Sequence, residues 1–319
     1  MITKIVNTVS NLIWEKALFG RPGSLRILTY HGIVEKYQDR FLERNFITYK
    51  EFNSELDFLA KKFNFISIPE ILEKKGKFSN EIAITFDDGY ENNIIAAEVL
   101  LKRRIPFTIF LTTNAIGAKG KSIWPVDLSL LLLKGRLDNF YLFNRVWHLN
   151  DPNERKSVFN EVRELFKKLK SEDRVKFFAE LSIQYPENEL ELLHNDFTSF
   201  KILSLNQARE LSQIKLCNLG CHGYQHEILH ANQNEITVEF EIKSSIQQFE
   251  SYFGYRPNHF AYPNGDSSAV AEKMIAESGF TGAFLNKPLL LENITNNFRI
   301  PRLNTPNNLK ACKQAVNHY

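Results

Sequence analysis

The feature that most constrains this 319-residue chain is a repeated alternation, from Arg26 onward, of short apolar runs with helical stretches. Residues 26–30 (RILTY), 65–68, 81–86 (EIAITF), 106–111 (PFTIFL), 215–221, 258–262 and 281–285 read as strands, rich in β-branched and aromatic side chains. Thr48 opens a helix through the capping-box spacing Thr48-Tyr49-Lys50-Glu51, with Phe52, Leu56, Leu59 and Ala60 on its apolar face. Further helices are expected at 204–213, 234–253 and 267–278, and Pro69 suits the first turn of another. Such alternation argues for a parallel sheet, open or closed into a barrel. In a barrel the chemistry sits on the loops at the carboxyl ends of the strands.

One stretch breaks the rhythm. Residues 119–200 are helical, charged and strand-poor, with surface helices expected at 154–170 and 172–181. This stretch reads as an insertion within a main domain spanning 26–319. Residues 1–25 stand apart: Ile2, Ile5, Val6, Val9, Leu12, Ile13, Trp14, Ala17 and Leu18 share one helical stripe, interrupted by Asn7, Ser10, Asn11 and Glu15. That pattern is a poor secretory signal and a better amphipathic helix. Residues 1–20 either pack on the domain or lie on a membrane surface, Lys4 and Lys16 facing the headgroups. The expected location is therefore cytoplasmic, with peripheral attachment to the inner membrane face if that helix docks. The 40 Lys+Arg against 37 Asp+Glu leave a net charge of +3, too balanced to call for a nucleic-acid partner. Cys217, Cys221 and Cys312 complete neither a zinc knuckle nor a disulfide framework, so they read as buried reduced thiols. Oligomeric state is not written in the pattern.

Several strands run into residues that carry chemistry. Thr85-Phe86-Asp87-Asp88-Gly89 ends an apolar strand in two adjacent carboxylates. Buried unpaired, they would be costly, so they need a cation or hydrogen bonds unless the segment is a solvated turn. Gly220-Cys221-His222-Gly223-Tyr224-Gln225-His226 offers two histidines four apart, a spacing that suits metal ligation or arises by chance, with His230 four further on. Phe260-Ala261-Tyr262-Pro263-Asn264-Gly265 ends a strand in a turn whose bared N–H groups suit an oxyanion. Tyr30-His31-Gly32 closes the first strand, and Arg299-Ile300-Pro301-Arg302 follows the last apolar run.

Taken in order, TFDDG at 85–89, HGYQH at 222–226 and FAYPNG at 260–265 resemble the polysaccharide deacetylase family, carbohydrate esterase family 4, also called the NodB homology domain. The opening YHGI and the YPNG form look most like the branch of surface-polysaccharide and poly-N-acetylglucosamine deacetylases. The resemblance covers roughly residues 26–302 apart from the insertion. It implies a distorted (β/α)7 barrel, related to the TIM barrel, with its site at the strand ends. It implies Asp87 as general base and Asp88, His222 and His226 as ligands of one divalent transition metal, Zn²⁺ foremost, with Co²⁺, Ni²⁺ or Fe²⁺ as alternatives. The implied activity is hydrolysis of an N-acetyl or other N-acyl group on an amino sugar of a surface polysaccharide or its lipid-linked or nucleotide-linked precursor.

The chain departs from the family pattern in places. Ala261 stands where an arginine often pairs with the base, leaving Arg299 or Arg302 to replace it. Asn264 stands where a tyrosine often precedes the glycine, and its backbone N–H remains available. Glu227 stands where a proline often follows the second histidine. No Leu-x-His occurs near the C-terminus, where the family often keeps its general acid and where only His318 is found. His31 is the substitute candidate. Tyr262, Pro263 and Trp124 are the expected substrate contacts, Trp124 either as a sugar platform or as a core side chain. The alternatives are an O-acyl esterase, a deformylase, or a carbohydrate-binding module of the same fold without turnover.

Overall fold

Seven parallel strands close on themselves in chain order: β1 (Arg26–Tyr30), β2 (Glu81–Phe86), β3 (Phe107–Leu111), β4 (Cys217–Cys221), β5 (His259–Ala261), β6 (Gly282–Asn286) and β7 (Ile300–Asn304). Each pairs with the next, and β7 returns to β1 with Leu303 opposite Leu28. The thinnest seam joins β4 to β5, where Phe260 faces Cys221. This computed structural model describes residues 24–305 except 75, 77, 118–121, 288 and 290. The expected amphipathic segment at 1–20, Cys312 and His318 lie outside the described residues. The architecture is the expected (β/α)7 barrel. Strands such as β2 and β3 are buried along their whole length, as parallel strands covered by helices must be, and this is why they read as continuous apolar runs.

The elements differ from expectation in three places. Of residues 65–68, only Phe65 is in a strand, the two-residue Asn64–Phe65 beside the start of β2, because Ile68 already begins a helix with Pro69 in its first turn. β7 escaped the strand reading because Pro301 sits inside it; there it faces Leu285 of β6. The insertion between β3 and β4 is not strand-poor throughout. Asn139–Leu142 and Arg145–His148 form an antiparallel hairpin whose two turn residues, Phe143 and Asn144, both have positive φ. That geometry is usually supplied by Asn-Gly, and Phe-Asn hid it. Phe140 and Trp147 face each other across the hairpin and stack at 6.1 Å.

The insertion has its own core, with Leu128, Phe140, Trp147, Phe159 and Phe166 among its buried members. Val34, Leu42 and Phe46, from the stretch after β1, join that core, as does Tyr90 after β2. The insertion is thus seated on the rim of the barrel at the carboxyl ends of its strands. Cys217 and Cys221 are buried free thiols. No helix among the described residues is long and apolar enough to cross a membrane.

One buried acid puts a pH dependence into the fold. Glu55, on the helix Tyr49–Leu59, turns its carboxyl into the barrel wall, where burial pushes its pKa up to about 8 despite a hydrogen bond with Tyr30. The native state therefore keeps a proton that the unfolded chain releases near the ordinary ~4.3 of Glu. Stability is full below that value and falls as pH rises toward 8. Glu55→Gln should match the parent at pH ~4 and exceed it by about 1–3 kcal/mol at pH ~8. Chemical denaturation at the two pH values checks this, and a difference independent of pH would contradict it.

Candidate metal and catalytic site

The carboxyl ends of β1, β2, β4, β5, β6 and β7 meet at one mouth, where a cavity of about 320 Å³ is lined by His31, Asp87, Asp88, His222, His226 and Asn264 among others. Asp87 and Asp88 follow β2 directly. In extended backbone they would face opposite ways, but Asp88 has φ 74° and Gly89 φ 79°, and this left-handed turn ends the alternation. Aspartate tolerates that conformation better than most residues. The Asp87 N–H donates to Tyr30 O at 3.0 Å, which ties the turn to the end of β1.

The two carboxylates have different partners. Arg302, inside β7 and wholly buried, donates Nη1 to Asp87 Oδ1 and Nη2 to Asp87 Oδ2, each at 2.7 Å, and reaches Thr85 Oγ1 at 3.2 Å. Burial pushes the Asp87 carboxyl up, but the charges of Arg302 and His222 and the Arg302 hydrogen bonds outweigh it and hold it below the ordinary carboxylate range. Asp88 Oδ1 is buried without a hydrogen-bond donor, 3.5 Å from His222 Nε2 and 3.3 Å from His226 Nε2. Burial raises Asp88 as well, and His226, His31 and His222 draw it far below its ordinary value. His222 Nδ1 lies 2.9 Å from Ala261 O. A carbonyl only accepts, so Nδ1 carries the proton and Nε2 presents its lone pair to the cavity. Burial pushes the His222 pKa down to about 4, so this ring is neutral at pH 7.

Among the described residues, Asp88, His222 and His226 form the cluster whose ligand atoms, all within 4.8 Å of one another, can hold a metal ion. Ligands about 2.0–2.2 Å from a tetrahedral ion lie roughly 3.3–3.6 Å apart. The two Asp88–histidine separations match that spacing. An acceptor oxygen without a donor, facing two imidazole nitrogens, is the donor set a divalent ion takes. It leaves one side open to the cavity.

The histidine loop is braced from below and from the side. Gly223 has φ 77°, and a Cβ there would come within 2.5 Å of Glu241 Oε1. That same oxygen accepts from Gln225 N at 2.7 Å and Glu227 N at 3.0 Å. From the insertion, Trp124 Nε1 donates to His226 O at 3.0 Å. Arg174, also from the insertion, forms a buried ion pair with Glu227, donates to Phe166 O and Leu169 O, and lays its guanidinium over the Trp124 ring at 4.8 Å.

The family model described as polysaccharide deacetylase matches residues 184–283, which contain the HGYQH and FAYPNG motifs. The fold places the earlier TFDDG carboxylates against that matched segment. Over that segment the chain is similar to the polysaccharide deacetylase family. Among solved structures, IcaB from Ammonifex degensii has a similar fold: 16% identity, 93% of this chain and 97% of that one covered, TM-score 0.60. So do the Streptococcus pyogenes deacetylase PplD, solved with acetate (13%, 93% and 98%, TM-score 0.58), and the BpsB deacetylase domain from Bordetella bronchiseptica (15%, 89% and 96%, TM-score 0.54). These are likenesses of fold. No curated protein sequence matches the chain.

The structure brings Asp87, Asp88, His222, His226, His31 and Asn264 to one cavity. Trp124 lines it as well, and also stacks on Phe166 at 6.3 Å, so it is both wall and support. The arginine choice falls on Arg302, since Arg299 pairs at the surface with Glu272 at 2.6 Å. Tyr262 and Pro263 are corrections. Both are buried, and neither side chain lines the cavity: the Tyr262 ring is in the barrel core and its hydroxyl donates to Phe298 O at 2.9 Å. Tyr262 leaves the strand into the core and Pro263, itself buried, opens a 3-10 turn, while exposed Asn264, at φ 58°, takes the rim. His230 lies aside, with Nε2 3.0 Å from Leu169 O. Glu241 and Arg174 were missed, because a lone acid in a helix and a lone arginine in a charged insertion carry no local signal.

The Arg174–Glu227 pair yields a test. Removing either partner alone (Arg174→Met or Glu227→Leu) should cost about 3–5 kcal/mol, because the other charge stays buried. The double substitution should recover most of that loss in a denaturation cycle. Additive losses would show that the two side chains act separately.

Proposed function

We propose that the chain is a metal-dependent N-deacetylase acting on an amino sugar of a surface polysaccharide or its lipid-linked or nucleotide-linked precursor. The observation that carries this reading is the division of the adjacent carboxylates, one clamped by Arg302 and the other facing two histidines. A divalent ion, Zn²⁺ foremost, would be held by Asp88, His222 and His226; when bound, it supplies a Lewis acid that polarises the acyl oxygen and makes water more acidic.

The chain's own groups do the rest. Asp87, fixed by Arg302, accepts a proton from the water that attacks the acyl carbon. The Asn264 N–H, bared on its turn at the rim, donates to the oxygen that gains negative charge. The amine must leave protonated, because an amide anion is a very poor leaving group. His31, on the cavity wall beside both carboxylates, delivers that proton, and Asp87 can return its own. The products are a free amine and the acyl carboxylate. The PplD deacetylase and the BpsB deacetylase domain, like IcaB, have a similar fold and support the reading.

Asp88→Asn and His222→Ala should lose bound metal and activity together. Asp87→Asn should keep its metal and lose turnover by about a hundredfold or more. Metal content by mass spectrometry and release of free amine from acetylated amino-sugar oligosaccharides measure both. Equal metal loss in all three variants would overturn the division of roles. Release of hydroxyl groups without amine would point to an O-acyl esterase, preference for formyl over acetyl to a deformylase, and metal binding without turnover to a binding module.

A further inference from the structure

The cavity that holds the metal triad has a second, cationic wall. Arg163 and Lys167 reach it from the insertion helix Pro152–Lys168, and Arg44 from the stretch after β1. Arg44 and Arg163 share one ring: their guanidinium carbons lie 4.9 and 5.3 Å from the centre of Phe159. Like charges gathered on one ring repel. Burial and the Arg163 charge together lower the Arg44 pKa to about 10.

The carboxylates around them answer this charge in part. Glu164 meets Arg163 at 3.1 Å and Lys167 at 3.3 Å, so one half-exposed acid serves two cations. Arg44 Nη1 donates to Phe41 O at 3.1 Å. Glu43, on the same wall, accepts from the N–H groups of Gln38 and Asp39, and Asp87 is taken by Arg302. Arg44, Arg163 and Lys167 outnumber Glu43 and Glu164, so this wall keeps an excess of positive charge.

We propose that this wall is a subsite for an anionic substituent, phosphoryl or carboxylate, carried by the amino-sugar substrate and read by Arg44, Arg163 and Lys167. The inference rests on the reading that the neighbouring centre hydrolyses an N-acyl amino sugar, and it names that sugar's charge class. Guanidinium forks pair with oxyanions through two parallel hydrogen bonds, and an ammonium adds a point charge. An anion drawn to this wall also offsets the repulsion between its cations, so the site gains more from it than from a neutral hydroxyl. The cavity is at the small end of ligand pockets, which keeps the substituent within about one sugar ring of the acyl group.

Two measurements on the full chain test the subsite separately from the chemistry. The first compares kcat/KM on N-acetylated glucosamine oligosaccharides that are neutral, phosphorylated or uronate-bearing. An anionic substrate should be preferred by about tenfold or more, Arg163→Gln should cut that ratio by about tenfold, and Arg163→Lys should restore part of it. The preferred arm tells phosphoryl from carboxylate. The second is calorimetry of glucosamine 1-phosphate and glucuronate with Asp88→Asn in chelator, where binding should weaken with added salt and with Arg163→Gln. Anion binding without turnover on any substrate would leave the subsite standing and overturn the deacetylase reading. Turnover without anion preference or anion binding would overturn the subsite and leave the deacetylase reading standing. Absence of both would overturn both.

Discussion

Two neighbouring carboxylates buried at the mouth of a barrel set the terms for everything around them. Burial alone would protonate both, and their mutual repulsion would add to that. The molecule answers with two different kinds of partner. A buried arginine from the last strand closes on the first carboxylate with two 2.7 Å hydrogen bonds. The second is turned by a left-handed residue toward two imidazoles, one of them kept in the ligand tautomer by a backbone carbonyl. Barrel closure makes this possible, because β2, β4 and β7 are far apart in sequence and deliver their residues to one end.

The site depends equally on what holds the histidine loop. Glu241, on the helix Glu235–Phe253, ties its backbone, and Gly223 is required because any side chain would collide with that carboxylate. Arg174 and Trp124 tie it from the insertion. The insertion is therefore a structural part of the site as well as one wall of its cavity, with Glu227 the residue through which Arg174 holds the loop and His226 O the atom that Trp124 reaches.

Much of this was legible in the sequence, for physical reasons. Buried parallel strands must be apolar along their length, so β2 and β3 announce themselves, and motifs at strand ends inherit their position from the strand. Arg302 was readable only as one of two candidates, because nothing local distinguishes a buried arginine from Arg299 three residues earlier. The hairpin at 139–148 stayed hidden behind its Phe-Asn turn. Tyr262 looked like a substrate contact because it stands in a strand-end motif; just past the strand His259–Ala261 it packs into the core instead. Glu241 and Arg174 act on the loop across 14–53 residues of sequence, a relation that only folding creates.

The central claim is that Asp88, His222 and His226 share one divalent ion while Asp87 stands beside it, held by Arg302. Anomalous diffraction at the zinc edge from crystals grown with Zn²⁺ tests it most directly. The account predicts one peak about 2.0–2.2 Å from an Asp88 oxygen and from both Nε2 atoms, with the Asp87–Arg302 pair intact beyond it. A peak ligated by Asp87 in place of Asp88, or an ion bound elsewhere with the triad left apart, would contradict it.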